Sequence, residues 1–205
     1  SNGQLIPEVI MKLLAPAMTG MDSLAGILFI TFIAQLFWVF GLHGASITQF
    51  VRLPFMNQYI AANVTSYEMG EPLVHYFTQP FWSYIIAIGG GGSTIALVLL
   101  MVISKSQQLK ELGRISLVPG IFNINEPIIF GTPIVLNPVL MIPFIFVPLI
   151  NTTIAYTLMY FGLVNKGFLT TPWTPPAPLG AALGFADWRG GVLVIVLIIL
   201  DMLLY

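Results

Sequence analysis

Residues 139–163 read VLMIPFIFVPLINTTIAYTLMYFGL, an apolar run without a single Asp, Glu, Lys or Arg. It exceeds the roughly 20 residues a helix needs to cross a hydrocarbon core. Pro143 and Pro148 are expected to kink it, with Asn151, Thr152 and Thr153 at hand to satisfy freed backbone groups. Working outward, the charge-free interval reaches from Glu126 to Lys166, and two more run from Glu71 to Lys105 and from Asp22 to Arg52. The chain as a whole is 57% hydrophobic and 7% charged, where a soluble domain carries roughly 25% charged residues. Apolar runs without a charged face cannot form the amphipathic helices of a soluble bundle. The expected fold is an all-α integral membrane bundle.

The expected spans are residues 25–42, 80–104, 139–163 and 191–205. Of these, 191–205 is too short to cross as it stands, so both ends of the sequence read as cut. Ser1-Asn2-Gly3 is not the charged start of a signal peptide. Between the spans lie three mixed stretches rich in Pro, Gly, Asn and aromatics: 47–79, 115–138 and 170–189. They are too polar for lipid and too apolar for free loops, so they are expected to be re-entrant or interfacial segments buried in protein or lining a cavity. In 115–138, ISLVPGIFNINEPIIFGTPIVLNP, the prolines and glycines argue for a hairpin. The Gly89–Gly92 run either breaks the 80–104 span or allows close helix packing. Lys105, Lys110 and Arg114 form the one basic cluster, and the positive-inside rule puts that loop in the cytoplasm. No direct internal repeat is evident.

A net charge of −1 gives no reason to expect nucleic acid, and the absence of Cys excludes disulfides and thiolate chemistry within this sequence. With two histidines in all, no metal site and no cofactor are expected. Glu126, in Asn123-Ile124-Asn125-Glu126-Pro127, is the acid that stands out, because a carboxylate at membrane depth is costly unless paired or wet. It could bind hydroxyls and accept a proton, or simply sit at the water interface of a loop. His43 reads as a cavity residue or an interfacial donor, and His75 as structural. Trp82, Trp173 and Trp188 suit an aromatic belt or a platform under a sugar ring. Asp187 and Arg189 read as a local ion pair before a helix. Asn63-Val64-Thr65 has the form of a glycosylation sequon, a motif common by chance.

NINEPIIFGTP and WTPPAPLGAALGFADWRGGVLV, with FWVFGLHG upstream, make the chain similar to the membrane component IIC of bacterial phosphotransferase-system sugar permeases, of the lactose/cellobiose/N,N′-diacetylchitobiose type. The resemblance covers essentially the whole chain and corresponds to the C-terminal, substrate-binding part. The N-terminal half that supplies scaffold and dimer interface in that family is missing. It implies a multi-pass protein of the bacterial cell membrane that binds a β-linked disaccharide and moves it for phosphorylation at the 6-hydroxyl by a phosphocysteine of the IIB subunit. IIA would act indirectly and a homodimer would form in the full-length protein. The chain itself would carry no phosphorylated residue.

The resemblance further implies that Glu126 binds the reacting hydroxyl and helps remove its proton, that His43 hydrogen-bonds the sugar, and that Asn125 binds a hydroxyl. Trp173 would stack, and Gln49 and Asn57 would be further ligands. The residues alone also allow an ion- or proton-coupled secondary transporter with Glu126 as coupling acid, or a membrane scaffold without transport activity.

Overall fold

The computed structural model describes residues 20–132 and 134–205; Ser1-Asn2-Gly3 lies outside them. Among the described residues the regular structure is helical. Helix α1, Leu24–Val39, starts where the Ser23 hydroxyl accepts from the Gly26 amide. Helix α2, Gly44–Glu68, follows after a short turn. The stretch 47–79, expected to be a re-entrant or interfacial segment, is helical for most of its length, the helix continuing through Pro54. The remainder, residues 71–78, has no regular secondary structure and is tied down by side chains. Asn63 accepts from the amides of Val74 and His75 and donates to the carbonyls of His75 and Gly167. Asp22 accepts from the amides of Tyr76 and Phe77 and lies 3.0 Å from His75 Nδ1. His75 therefore braces the fold, and the buried, fully engaged Asn63 is no accessible sequon.

The expected span 80–104 is broken. A short helix α3, Gln79–Phe81, runs into a π-helical turn at Trp82–Ile86, and a 3₁₀ turn at Gly91–Ser93 precedes helix α4, Ile95–Val102. The two halves are bent by 53°. Gly90 has φ +99°, and a Cβ there would lie 2.3 Å from Asn125 Cγ. At Gly92, with φ +77°, a Cβ would lie 2.2 Å from the Phe144 ring. These glycines let neighbouring groups approach a backbone that L-residues resist adopting.

Helix α5, Gln107–Ile121, carries Lys110, Glu111 and Arg114, so most of the basic "loop" is helix, begun by the Ser106 cap. It ends at Asn123, whose φ of +63° places it in the left-handed position. There its amide bonds the Gly120 carbonyl and that of Ile124 bonds Pro119, the helix-ending arrangement for which Asn is the usual substitute for Gly. Helix α6, Glu126–Gly131, then turns back against α5 with Pro127 in its first turn.

Among the described residues, helix α7, Pro138–Tyr160, is the one long and apolar enough to cross a membrane by itself. It continues through both prolines. The Thr152 and Thr153 hydroxyls bond the carbonyls of Pro148 and Leu149, whereas Asn151 is committed elsewhere. Helix α8, Ala177–Gly184, occupies part of 170–189, and α9, Trp188–Leu204, closes the chain's helical order. Asp187 caps α9, accepting from the Arg189 amide and side chain and from the Asn165 amide, which makes it the expected local pair.

Helix α1 packs on α2 and α7, α4 on α5 and α9, and α8 on α9. A core of Tyr59, Phe77, Phe81, Tyr84 and Phe185 fills the centre, and Trp38, Ile128, Ile129 and Phe144 pack beneath the hairpin. Outward faces stay apolar, with Phe29, Ile142, Phe146, Val196, Ile199 and Leu203 exposed.

Candidate functional site

The start of α2, the broken span and the α5–α6 hairpin enclose a cavity of about 1010 Å³. Five of the six residues expected at a site line it: His43, Gln49, Asn125, Glu126 and Trp173. Asn57 does not; it is exposed further along α2.

His43 is the cap of α2. Its Nδ1 accepts from the Ser46 amide at 3.1 Å and lies 2.8 Å from the Ser46 hydroxyl. A nitrogen that accepts a backbone N–H carries no proton, so the ring's N–H is assigned to Nε2. That atom is 3.6 Å from Glu126 Oε1. The Trp38 ring, 4.2 Å away, holds the imidazole from behind. Both partners are about half exposed, 48% for His43 and 47% for Glu126, so the pair is reachable from the cavity. Pro127 keeps Glu126 at the very start of α6, where a carboxylate also suits the helix's positive end.

Asn125 serves differently. Its Nδ2 donates to the Gly91 carbonyl at 2.7 Å and to the Thr94 hydroxyl at 3.2 Å, so its N–H groups clasp the hairpin to the broken span. Asn123 does the same on the other side of the turn. Its Oδ1 accepts from the Gly89 amide, and its Nδ2 donates to the carbonyls of Trp173 and Pro175. Trp173 is thereby fixed through its backbone while its ring remains half-exposed on the cavity wall. Tyr84 secures the same loop through the Pro172 carbonyl. Trp82 also lines the cavity, whereas Trp188 stands out in the open, 73% exposed.

Arg52 was not singled out from the sequence. It is 6% exposed and lines the cavity, its guanidinium 3.9 Å above the Trp82 ring. Nη2 donates to the Ala45 carbonyl and Nη1 points at the Met56 sulfur, while Nε has no partner. The available signal was its isolation: it ends a charge-free interval and falls, with Ala45 and Gln49, at helical spacing on one face of α2. Asn123 was visible in the motif but not as a clasp, since its partners come from residues 89, 173 and 175.

A cavity with a carboxylate, an imidazole N–H, amides and indole faces suits a polyhydroxylated ligand, which needs hydrogen-bond partners around its rim and apolar surface for its ring faces. Residues 2–148 match the family described as "Phosphotransferase system, EIIC". The chain belongs to this family. EIIC proteins are integral membrane permeases, and the exposed apolar faces described above suit such a protein.

The chain is 35% identical over 190 residues to the PTS system oligo-beta-mannoside-specific EIIC component of Bacillus subtilis (strain 168), covering 91% of this chain and 43% of that protein. It is 33% identical over 208 residues to the PTS system lactose-specific EIICB component of Lacticaseibacillus casei, covering 100% of this chain and 36% of that one. The crystal structure of the transporter ChbC, the IIC component from the N,N′-diacetylchitobiose-specific phosphotransferase system, superposes with a TM-score of 0.95 at 37% identity. That alignment covers all of this chain and 48% of ChbC. This EIIC chain thus spans less than half the length of these relatives, and its fold is that of the IIC transporter.

Proposed function

We propose that this chain forms the sugar-binding part of a phosphotransferase-system permease for a β-linked disaccharide of the cellobiose, diacetylchitobiose or lactose kind. The observation that carries the reading is the convergence of His43 and Glu126 to 3.6 Å at the wall of one cavity. At about 1010 Å³, the cavity sits at the upper end of the roughly 300–1,000 Å³ typical of small-molecule sites. Trp173 and Trp82 supply apolar faces; Gln49, Gln79 and Ser83 supply polar atoms. The names of the relatives, which cover β-mannosides, lactose and diacetylchitobiose, favour β-glycosides as a class.

In this reading His43 Nε2–H and the Glu126 carboxylate both bind the reacting 6-hydroxyl. When the IIB phosphocysteine delivers its phosphoryl group, the S–P bond breaks and an O–P bond forms. The thiolate departs with the electron pair, and Glu126 takes the hydroxyl proton as general base. The proton here belongs to phosphoryl transfer, which sets this reading apart from a proton-coupled secondary transporter. IIA, a homodimeric assembly and a cytoplasmic α5 belong to the same proposal.

The test is binding and IIB-dependent phosphorylation of cellobiose, diacetylchitobiose and lactose by the permease, with Glu126→Gln and His43→Ala beside wild type. Weakened sugar binding is expected for His43→Ala. Undiminished binding and phosphorylation in both variants would overturn the site.

A further inference from the structure

The guanidinium of Arg52 has an environment that the sugar reading does not use. It is a permanent cation, nearly buried, with no carboxylate within ion-pair distance among the described residues. Buried charges are normally paired. Its contacts are a carbonyl, a thioether and the face of an indole, and they leave Nε and further N–H groups unused. The cavity that it lines contains one carboxylate, Glu126, and one fixed cation, Arg52.

Its placement is equally specific. Arg52 lies seven residues beyond Ala45, yet its Nη2 reaches back to the Ala45 carbonyl at 3.1 Å. The guanidinium therefore lies alongside the first turn of α2, the turn that His43 caps, and His43 in turn meets Glu126. Cation, imidazole and carboxylate lie around one end of one helix.

Resting on the phosphotransfer reading above, we propose that Arg52 binds the phosphoryl group: it holds the equatorial oxygens during transfer and the 6-phosphate of the product afterwards. The charge balance requires such a group. With Glu126 ionised and a neutral sugar bound, the two fixed charges of the cavity cancel. On transfer the hydroxyl proton neutralises Glu126, and a phosphate carrying close to two negative charges appears beside it. Arg52 is then the fixed charge left to oppose it. A planar fork of N–H donors matches phosphoryl oxygens better than a point charge does. Catalysis of phosphoryl transfer rests largely on such electrostatic stabilisation. Trp82 below the guanidinium and Ala45 beside it fix the fork in advance of the reaction.

The experiment uses the permease in nanodiscs as wild type, Arg52→Gln and Arg52→Lys. It measures binding of whichever of the three disaccharides the wild type takes, binding of that sugar's 6-phosphate, and IIB-dependent phosphorylation. For Arg52→Gln, sugar affinity and KM should stay within about threefold. Affinity for the sugar phosphate should fall at least ~10-fold and kcat ~100-fold, the scale of losing one transition-state donor. Arg52→Lys, which keeps the charge but not the fork, should fall between.

Equal losses for sugar and sugar phosphate would make Arg52 a hydroxyl ligand and overturn the assignment. No loss of either would make it a brace between Ala45 and Trp82 and overturn it as well. If Arg52→Gln does not fold, the same comparison on Arg52→Lys decides. A wild type that binds none of the sugars overturns the functional reading itself, which the variants alone cannot do.

Discussion

The Gly-rich break between residues 89 and 94 is gripped from two sides by asparagines, and the two grips differ in their relation to water. On the cavity side, Asn123 and Asn125 reach from the hairpin to Gly89, Gly91 and Thr94, and the acid that follows them as the first residue of α6, Glu126, stays half exposed. On the other side, Asn151 of α7 donates to Ser93 Oγ at 3.1 Å and to Asp201 Oδ2 of α9 at 3.0 Å. All three residues there have no exposed surface. Tyr205 joins them through the Gly92 carbonyl. The break is one piece of backbone held by a wet clasp and a dry one. An acid kept open to a cavity is available for chemistry, while an acid sealed among helices can only hold them together.

The largest effect that separates the two sides is at Glu126. Glu126→Gln keeps shape and hydrogen-bonding capacity but removes the base. Phosphorylation is expected to fall ~10²–10⁴-fold, the usual worth of general base catalysis, with sugar affinity changed only a few-fold and the melting temperature in detergent unchanged. Equal losses in binding and turnover would confine Glu126 to recognition.

Asp201→Leu should show the opposite pattern. It takes the carboxylate partner from one Asn151 N–H and from the Ser93 hydroxyl in a dry interior, leaving them only each other, at roughly 1–3 kcal/mol for each group left unsatisfied. The melting temperature should drop by several degrees, and size-exclusion chromatography should show loss of monodisperse protein. Asp201→Asn, which still offers an acceptor, should lose much less. A stable Asp201→Leu variant with defective phosphorylation would put Asp201 in the chemistry and erase the contrast.

Gly90 lies where the wet clasp meets the break. Gly90→Ala would push a methyl group into Asn125, 2.3 Å from its Cγ, at a φ of +99° that an L-residue resists by ~1–2 kcal/mol. Because Asn125 immediately precedes Glu126, a drop in sugar affinity of about tenfold is expected, equivalent to ~1.4 kcal/mol. The measurement is sugar binding by calorimetry, and unchanged affinity would show that the clasp does not position the site.

In the sequence, Glu126 and Asp201 look alike: each is a lone acid in apolar surroundings. The Asn-Glu-Pro turn, with its helix-breaking proline, distinguished the first, and α5 and α6 pack on each other across it. Nothing local to IILDMLLY announced that Asp201 meets Asn151 and Ser93, because such pairing depends on how three helices pack. The apolar intervals made the membrane class legible, since they depend on composition alone. Helicity through Pro54 and across Lys110–Arg114 was not legible: proline costs and charge counts are local, whereas packing of α2 and α5 against their neighbours is not. Arg52 escaped notice for the same reason. Its meaning lies in the Trp82 ring and the cavity, 30 residues away in sequence.

The smallest expected effect belongs to an acid on neither side of the break. Asp187 stands outside the spans at the start of α9, with its side chain 5% exposed. Burial pushes its pKa up, but the Arg189 side chain and the amides of Asn165 and Arg189 outweigh that and hold it below the ordinary carboxylate value. A group depressed on folding stabilises the protein above its unfolded pKa of roughly 3.9, and loses that contribution as pH falls through the lower folded value. Melting temperature should thus be insensitive to Asp187 titration at neutral pH and decline below about pH 4. Asp187→Asn should lower the neutral-pH melting temperature slightly and flatten the acid limb. An acid limb identical in wild type and variant would show that the Asp187 cap contributes no pH-dependent stability, unlike the caps and clasps whose effects are read at neutral pH.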